Sequence, residues 1–227
     1  GHAIPAAGAH VAIIRASISL GKAMTGRGIE IHGAVLTIDG LSLSCTSSVR
    51  LMDAIRVTGS SAAISNLRLD AAPDYALSGI TASGSRVSMD RSFLKVRGGT
   101  SSSRLFNADD SRMALSSSYI DIGWKGTVDV ISGGNESVVN AAHLTVLVDA
   151  PRATLVVSTN SVFSLGNTIA NFSGAVCTLV RSTTIPQPGS ITANCLWGFS
   201  NLLDGAESGT TMRSEERRVG KECRSRW

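Results

Sequence analysis

The sequence has little of what helical proteins need on their surfaces. Of its 227 residues only four are Lys and one is Gln, and aromatic residues make up 4%. Straight side chains such as Lys, Gln and Glu favour exposed helix positions because they lose little rotamer freedom there. A helical bundle is therefore not expected. The sequence also lacks any run of about 18 apolar residues, so no membrane-spanning helix is expected.

An excess of positive charge is lacking as well, once the last fifteen residues are set apart. Segment 213–227 holds six Arg or Lys and three Glu, which leaves 15 basic and 14 acidic residues in the rest of the chain. Its string, RSEERRVGKECRSRW, resembles the conceptual translation of a sequencing adapter. We therefore expect 213–227 to be a non-native tail without specific structure, and its charge indicates no nucleic-acid partner.

The ends of the chain lead to an expectation about domain organisation. The sequence opens on Gly1 without a start Met, and we expect a fragment cut from a longer product. Residues 1–205 are expected to form one folded body, followed by a linker or truncated unit at 206–212. The exposed ends of such a fragment are expected to favour self-association.

Cysteine and histidine are too few and too scattered for a metal site. Outside the tail, Cys45, Cys177 and Cys195 form neither a zinc signature nor a disulfide framework. Cys177 and Cys195 are compatible with a disulfide in an oxidising compartment and equally with two separate buried thiols. The four His residues have no metal-ligand spacing, so the sequence predicts no metal and no cofactor.

What the sequence has in abundance is Ser, at 33 residues, Gly, at 23, and a repeat. Apolar anchor residues recur at spacings of 23 to 27 residues, with a mean of about 25. The position two residues after the anchor is apolar in six of eight repeats, and the position five residues before it in seven of eight. The anchors are Ile18, Leu41, Leu67, Leu94, Ile120, Leu144, Ile169 and Leu196.

Each repeat also contains a short alternation that ends on a turn residue. Examples are 29–33, 55–59 and 80–84, which end on Gly, and 106–110, which ends on Asp. Alternation predicts half-buried strands, and Gly or Asp tolerates the positive φ of the following turn. Stacked equivalent strands bury the apolar face that one strand alone cannot. The sequence therefore predicts an all-β parallel solenoid of about eight coils.

Three other repeat or β architectures fit less well. Leucine-rich repeats need a Leu/Asn pattern that is missing, and a propeller blade needs about 40 residues. An antiparallel sandwich would not keep columns in register over eight units. The coil size and pattern of about residues 10–205 resemble the right-handed parallel β-helix of pectate-lyase-like proteins and of secreted, autotransporter-like surface proteins. That resemblance implies an extracellular or cell-surface location.

No catalytic residue is nominated from the sequence. Glycosidases need carboxylates that face one another, and lyases need Ca²⁺ ligands with a base. On a solenoid such groups must occupy equivalent positions of adjacent coils, and the anchor alignment places no two carboxylates so. The pair Asp109 and Asp110 stands where other repeats have Gly, and we expect it to form a turn.

One outward column is a candidate ligand-binding strip. Counting from the anchors places Phe93, Tyr119 and His143 in line on the surface. The adjoining outward column carries Arg68, Lys95 and Asp121. Rings and charges at sheet spacing can bind an acidic sugar, or they can simply stack on one another and stabilise the sheet.

These features favour a non-catalytic secreted or surface-displayed β-helix that acts as an adhesive or spacer surface. Glycans or other cell-surface molecules are its expected partners. The alternative is a truncated carbohydrate-active enzyme, a polysaccharide lyase or glycoside hydrolase, of the pectate-lyase-like superfamily.

Overall fold

The structure, a computed structural model, describes residues 3–5, 9–21, 23–45, 49–173, 176–182, 190–199 and 211–214. This part of the chain contains 23 strands and no helix, and hence no helix that could cross a membrane. The strands are β1 Ala3–Pro5, β2 His10–Ile14, β3 Ser17–Leu20, β4 Ala23–His32, β5 Val35–Asp39, β6 Ser42–Cys45, β7 Val49–Thr58, β8 Ser61–Ser65, β9 Arg68–Ala71, β10 Ala76–Ser83, β11 Arg86–Asp90, β12 Phe93–Gly98, β13 Ser103–Asp109, β14 Arg112–Ser116, β15 Tyr119–Trp124, β16 Thr127–Gly134, β17 Val138–Ala142, β18 Thr145–Asp149, β19 Arg152–Ser158, β20 Val162–Ser173, β21 Val176–Ser182, β22 Ser190–Phe199 and β23 Thr211–Ser214.

Three strands make one turn of the molecule, and each strand pairs in parallel with its equivalent in the next turn. We call β2, β5, β8, β11, β14 and β17 the first face, and β3, β6, β9, β12, β15 and β18 the second face. The third face consists of β4, β7, β10, β13, β16 and β19. The predicted parallel β-solenoid is thereby confirmed.

The described residues form about six turns, slightly fewer than the eight predicted. Strands β2 to β19 supply six turns with three separate strands each. The last two predicted anchors, Ile169 and Leu196, lie in β20 and β22. In β20 the strands of the first and second faces are merged, since it pairs with both β17 and β18.

The repeat predicts that the anchors Leu67, Leu94 and Ile120 stack on one another in consecutive coils. This prediction was right for Leu94 and Ile120 and wrong for Leu67. Leu94 pairs with Ile120 on one side, but on the other side it pairs with Leu69. Leu67 lies two residues earlier, and Leu41 is displaced in the same way because Leu43 pairs with Leu69. Residues two apart in a strand point to the same side, so an apolar pattern cannot distinguish these two registers.

The core lies between the three faces and is filled by the inward columns. On the second face Leu43, Leu69, Leu94 and Ile120 are fully buried and stack in register. On the third face the predicted alternations also stack, from Ile29 through Ile55 and Ile80 to Phe106. The sequence prediction for these third-face strands is confirmed.

Two of the three corners of each turn depend on one residue with positive φ. At corner 1, between the third face and the next first face, these residues include Gly33, Gly59, Gly84 and Asp110, with φ between 47° and 63°. Asp110 is therefore the turn residue expected. Corner 2, between the first and second faces, uses mostly non-glycine residues: Arg15, Gly40, Asn66, Arg91, Ser117, His143 and Asn167.

Buried serine hydroxyls connect the coils at both corners. At corner 1, Ser85, Ser111 and Ser137 each accept a hydrogen bond from the backbone N–H of the preceding coil, at 3.0–3.1 Å. At corner 2, Ser92 and Ser118 accept equivalent bonds at 3.1–3.2 Å. These corner serines also donate to backbone carbonyls two or three residues earlier. These five serines are therefore buried and structural.

The third corner joins the second face to the third face and is longer than the other two. Between β12 and β13 it is covered by the side chain of Trp124, from the next coil. Its indole N–H donates to the carbonyl of Ser101 at 2.7 Å, and the side chain is only 3% exposed. The ring lies against Gly99, where a Cβ atom would come within 1.8 Å of it. Gly99 also has a φ of +46°, so both space and conformation require glycine.

Several predictions concern residues beyond the described part of the chain. The side chains of Cys177, Cys195 and Leu196 lie outside it, as do residues 215–227 of the expected tail. The backbone of β23, which crosses the predicted boundary at 213, pairs with β22. The division into 1–205, 206–212 and 213–227 stays a prediction.

We predict that Ser111→Ala destabilises the protein by about 1–3 kcal/mol, because it leaves the buried N–H of Ser85 without its acceptor. The control is Ser164→Ala, at an exposed first-face position. Urea unfolding should show a loss of midpoint for Ser111→Ala alone. Equal losses for the two variants would contradict the structural role of the serine column.

We predict that Gly99→Ala lowers the free energy of unfolding by more than Gly59→Ala. Both residues have positive φ, so both variants incur strain of about 1 kcal/mol. A methyl group at Gly59 meets nothing within 4 Å, whereas at Gly99 it collides with Trp124. Chemical denaturation with tryptophan fluorescence would measure both, and equal losses would show that Trp124 moves aside without cost.

Candidate functional site

The predicted strip lies on the second face, and three of its members form one column. Phe93 pairs with Tyr119 in the next coil and with Arg68 in the previous one. The two rings are stacked with centroids 5.3 Å apart and planes 2° apart. The guanidinium of Arg68 lies 5.8 Å from the centroid of Phe93. Arg68 was expected in the adjoining column and is instead in line with the rings.

The stack determines which ring surfaces remain free. Since Arg68 lies one coil before Phe93 and Tyr119 one coil after it, the two cover opposite faces of the Phe93 ring. The next residue in the column after Tyr119 is Thr145, which is not aromatic. Phe93 and Tyr119 are 38% and 37% exposed. The Tyr119 ring therefore has one face without an aromatic neighbour.

His143 is not part of this column, which corrects the predicted strip. It is the positive-φ residue of corner 2, and its backbone N–H donates to the carbonyl of Gly166 at 2.9 Å. The error has the same origin as that at Leu67: the anchor Leu144 lies two residues before Val146, the true partner of Ile120.

Lys95 and Asp121 are neighbours in the adjoining column, as predicted, but they form no ion pair within the described structure. Asp121 is bound by Arg97, whose guanidinium also donates to the carbonyl oxygen of Asp121 at 3.0 Å. Lys95 lies between Asp70 and Asp121 on the two flanking strands. In the described residues no hydrogen bond or ion pair involves its ammonium group.

Aspartates on the outer edge of the first face are bound by the following coil. Asp39 accepts hydrogen bonds from Asn66 at 2.6 Å and from Ser65 at 2.8 Å, and these bonds lower the pKa of its carboxyl group. Asp90 accepts one from Ser116 at 2.8 Å, which lowers the pKa of Asp90 in the same way. Asp and Ser thus alternate in this column. These carboxylates serve to connect coils.

Two exposed carboxylates, Asp110 and Glu136, lie at corner 1 of adjacent coils. They do not share a position: Asp109 pairs with Gly134, and the backbone N–H of Asp110 donates to the carbonyl of Gly134, which makes Asn135 the equivalent of Asp110. Both have positive φ at corner 1 and both are exposed. The corner is longer by one residue in the second of these coils, with Asn135 and Glu136 both at positive φ, and Glu136 is the additional residue.

No group of three or more His, Cys, Asp or Glu residues that could hold a metal ion occurs among the described residues. Cys45 is a free, buried thiol whose pKa is raised by burial. Comparison of the chain with protein-family profiles, with curated proteins and with solved structures gives no match.

We predict that the double variant Asp39→Asn, Asp90→Asn is less stable than wild type at neutral pH and that this difference closes in acid. The folded pKa values are lowered, so the stabilisation is complete above the unfolded pKa of about 3.9 and is lost as the pH falls through the folded values. Thermal melts from pH 7 to pH 2 would measure the difference.

The control is Asp74→Asn, which makes the same charge change at an exposed residue outside the column. A difference between wild type and double variant that stays constant with pH would show that the two carboxylates contribute no ionised hydrogen bonds to stability.

Proposed function

We propose that the chain is part of a secreted or surface-displayed, non-catalytic right-handed β-helix, similar to autotransporter-like passengers. In this proposal the solenoid is a rigid spacer, and the second face carries an adhesive strip for an acidic oligosaccharide. The strip consists of Arg68, Phe93 and Tyr119 with Lys95 beside them. The main support for this proposal is that the rings of Phe93 and Tyr119 both remain more than a third exposed. Beside them lies Lys95, whose ammonium group has no ion-pair partner among the described residues.

Support for the spacer role comes from side-chain contacts that run from coil to coil. Asp39 with Ser65, and Asp90 with Ser116, join consecutive turns at the edge of the first face. Arg97 and Asp121 join consecutive turns on the second face. Such contacts add to the backbone pairing and resist bending between coils. A stack of parallel coils advances by about 4.8 Å per turn, so length grows in proportion to the number of repeats.

Support for the adhesive role comes from the chemistry of the strip. The free face of Tyr119 can stack on the apolar face of a sugar. Lys95 supplies a flexible point charge for a carboxylate, and Arg68 a planar guanidinium that can bind one bidentately. Affinity for one sugar unit should be weak, and repeated display on many molecules would supply avidity.

We predict that a glycan array probed with the purified protein shows acidic oligosaccharides bound by wild type and lost in Tyr119→Ala and Lys95→Ala. Stacking of a nucleobase on an aromatic side chain contributes about 1–3 kcal/mol and a sugar face should give no more, so a loss of about tenfold is expected for Tyr119→Ala.

Matched controls are Tyr75→Ala and Lys125→Ala, which remove the same side chains from exposed positions at the third corner. Both should bind like wild type. Equal signals from wild type and all four variants would leave Arg68, Phe93 and Tyr119 as a structural ladder only.

A further inference from the structure

Two arginines on the first face are held side by side. Arg86 pairs with Arg112 in the next coil, with Ser61 on one side and Val138 on the other. Equivalent positions in parallel strands are about 4.8 Å apart, and like charges directly opposite each other are destabilising. Among the paired positions of the described strands, this is the one that brings two cations together.

Neither arginine has an acidic partner within the described structure. Other outward arginines do: Arg97 binds Asp121, Arg56 binds Asp53 at 2.8 Å, and Arg181 binds Asp129 at 2.9 Å. The exposed guanidinium groups of Arg86 and Arg112 make no such ion pair and no protein hydrogen bond there. Their donors are therefore available to a ligand.

A groove runs beside this pair along the first face. It has a volume of about 240 Å³, spans four coils from Ser61 to Asn140, and includes Ser88 and Ala114. Because the outward side chains next to the arginines are small, a ligand can approach the guanidinium groups from the face. Ser88 and Asn140 add a hydroxyl and an amide that can bind sugar hydroxyls.

Acidic residues bound the groove on its corner side. A second groove of about 430 Å³ continues around corner 1 and is lined by Asp110 and Glu136 as well as by both arginines. Neither carboxylate lies within ion-pair distance of Arg86 or Arg112, since no such pair exists in the described structure. An anionic group would be repelled from the corner and attracted to the first face.

We propose that Arg86 and Arg112 bind one tetrahedral oxyanion, a sulfate or phosphate ester carried by a glycan that lies in the first-face groove. Two guanidinium forks from separate coils offer at least four N–H donors. A carboxylate has two oxygens in one plane, whereas a tetrahedral ester has three terminal oxygens that can meet donors from two directions. This site is on a different face from the strip of Arg68, Phe93 and Tyr119, and it does not depend on the proposed function.

The test measures binding of three oligosaccharides of equal length, one sulfated, one phosphorylated and one a polyuronate, by titration calorimetry with the full chain. We expect the sulfated or the phosphorylated probe to bind, and the comparison identifies which ester is preferred. Arg86→Gln and Arg112→Gln should each lower that affinity at least about tenfold, because charge-assisted hydrogen bonds are lost. The control Arg152→Gln removes the same charge from an exposed third-face position and should bind like wild type.

Two further variants are expected to change the affinity for the ester in the opposite direction. Asp110→Asn and Glu136→Gln remove the repelling charges and should strengthen binding of the ester, about two- to fivefold for a pair of surface charges. Arg86→Gln should not lower the melting temperature, because it relieves a like-charge contact.

Three results would overturn the proposal. These are no binding of either ester, equal binding by wild type and the two arginine variants, or a uronate that binds as tightly as the esters and with the same dependence on Arg86 and Arg112. Loss of polyuronate binding in Tyr119→Ala alone would concern the second-face strip and leave this site unaffected.

Discussion

The parallel register between coils is the constraint on which the rest of the molecule depends. Each strand residue lies one strand spacing from its equivalent in the next coil, and backbone hydrogen bonds keep this register through the corners as well as the strands. A corner therefore has to turn the chain without leaving a buried N–H unpaired. One residue with positive φ turns it, and a buried serine hydroxyl accepts the N–H that the turn directs toward the next coil.

The same register decides what the surface can be. Every outward residue lies next to the equivalent residue of the neighbouring coil. The side chains of one surface column therefore attract one another or repel one another, depending on their chemistry. Ser65 donates a hydrogen bond to Asp39, and the rings of Phe93 and Tyr119 stack, so these two pairs attract and stiffen the rod. Among the paired positions of the described strands, Arg86 with Arg112 is the one that brings two cations together, and a bound anion would remove this repulsion.

The two proposed surfaces differ in how they relate to the fold. The rings of the second face stack whether or not a ligand is present, so their role in binding has to be separated from their role in stability. The arginines of the first face are paired like charges that repel each other, so they do not stabilise the fold in the way that the stacked rings do. Measuring both the melting temperature and the affinity of each variant distinguishes residues that bind a ligand and stabilise the fold from residues that only bind a ligand.

The architecture could be predicted from the sequence: a repeat of about 25 residues, alternating strands and turn residues at Gly84 and Asp110 predicted a parallel all-β solenoid, and the structure confirms it. The sequence also located Phe93 next to Tyr119 and Lys95 next to Asp121. It could not determine the register at Leu67 and Leu144, because apolar residues two apart face the same side of a strand and satisfy the same pattern. The folded chain was needed to show that His143 turns a corner, that corner 1 has an additional residue at Glu136, and that Arg86 pairs with Arg112. Those neighbours depend on the length of each corner, since one residue more or less there shifts every later position relative to the coil before it.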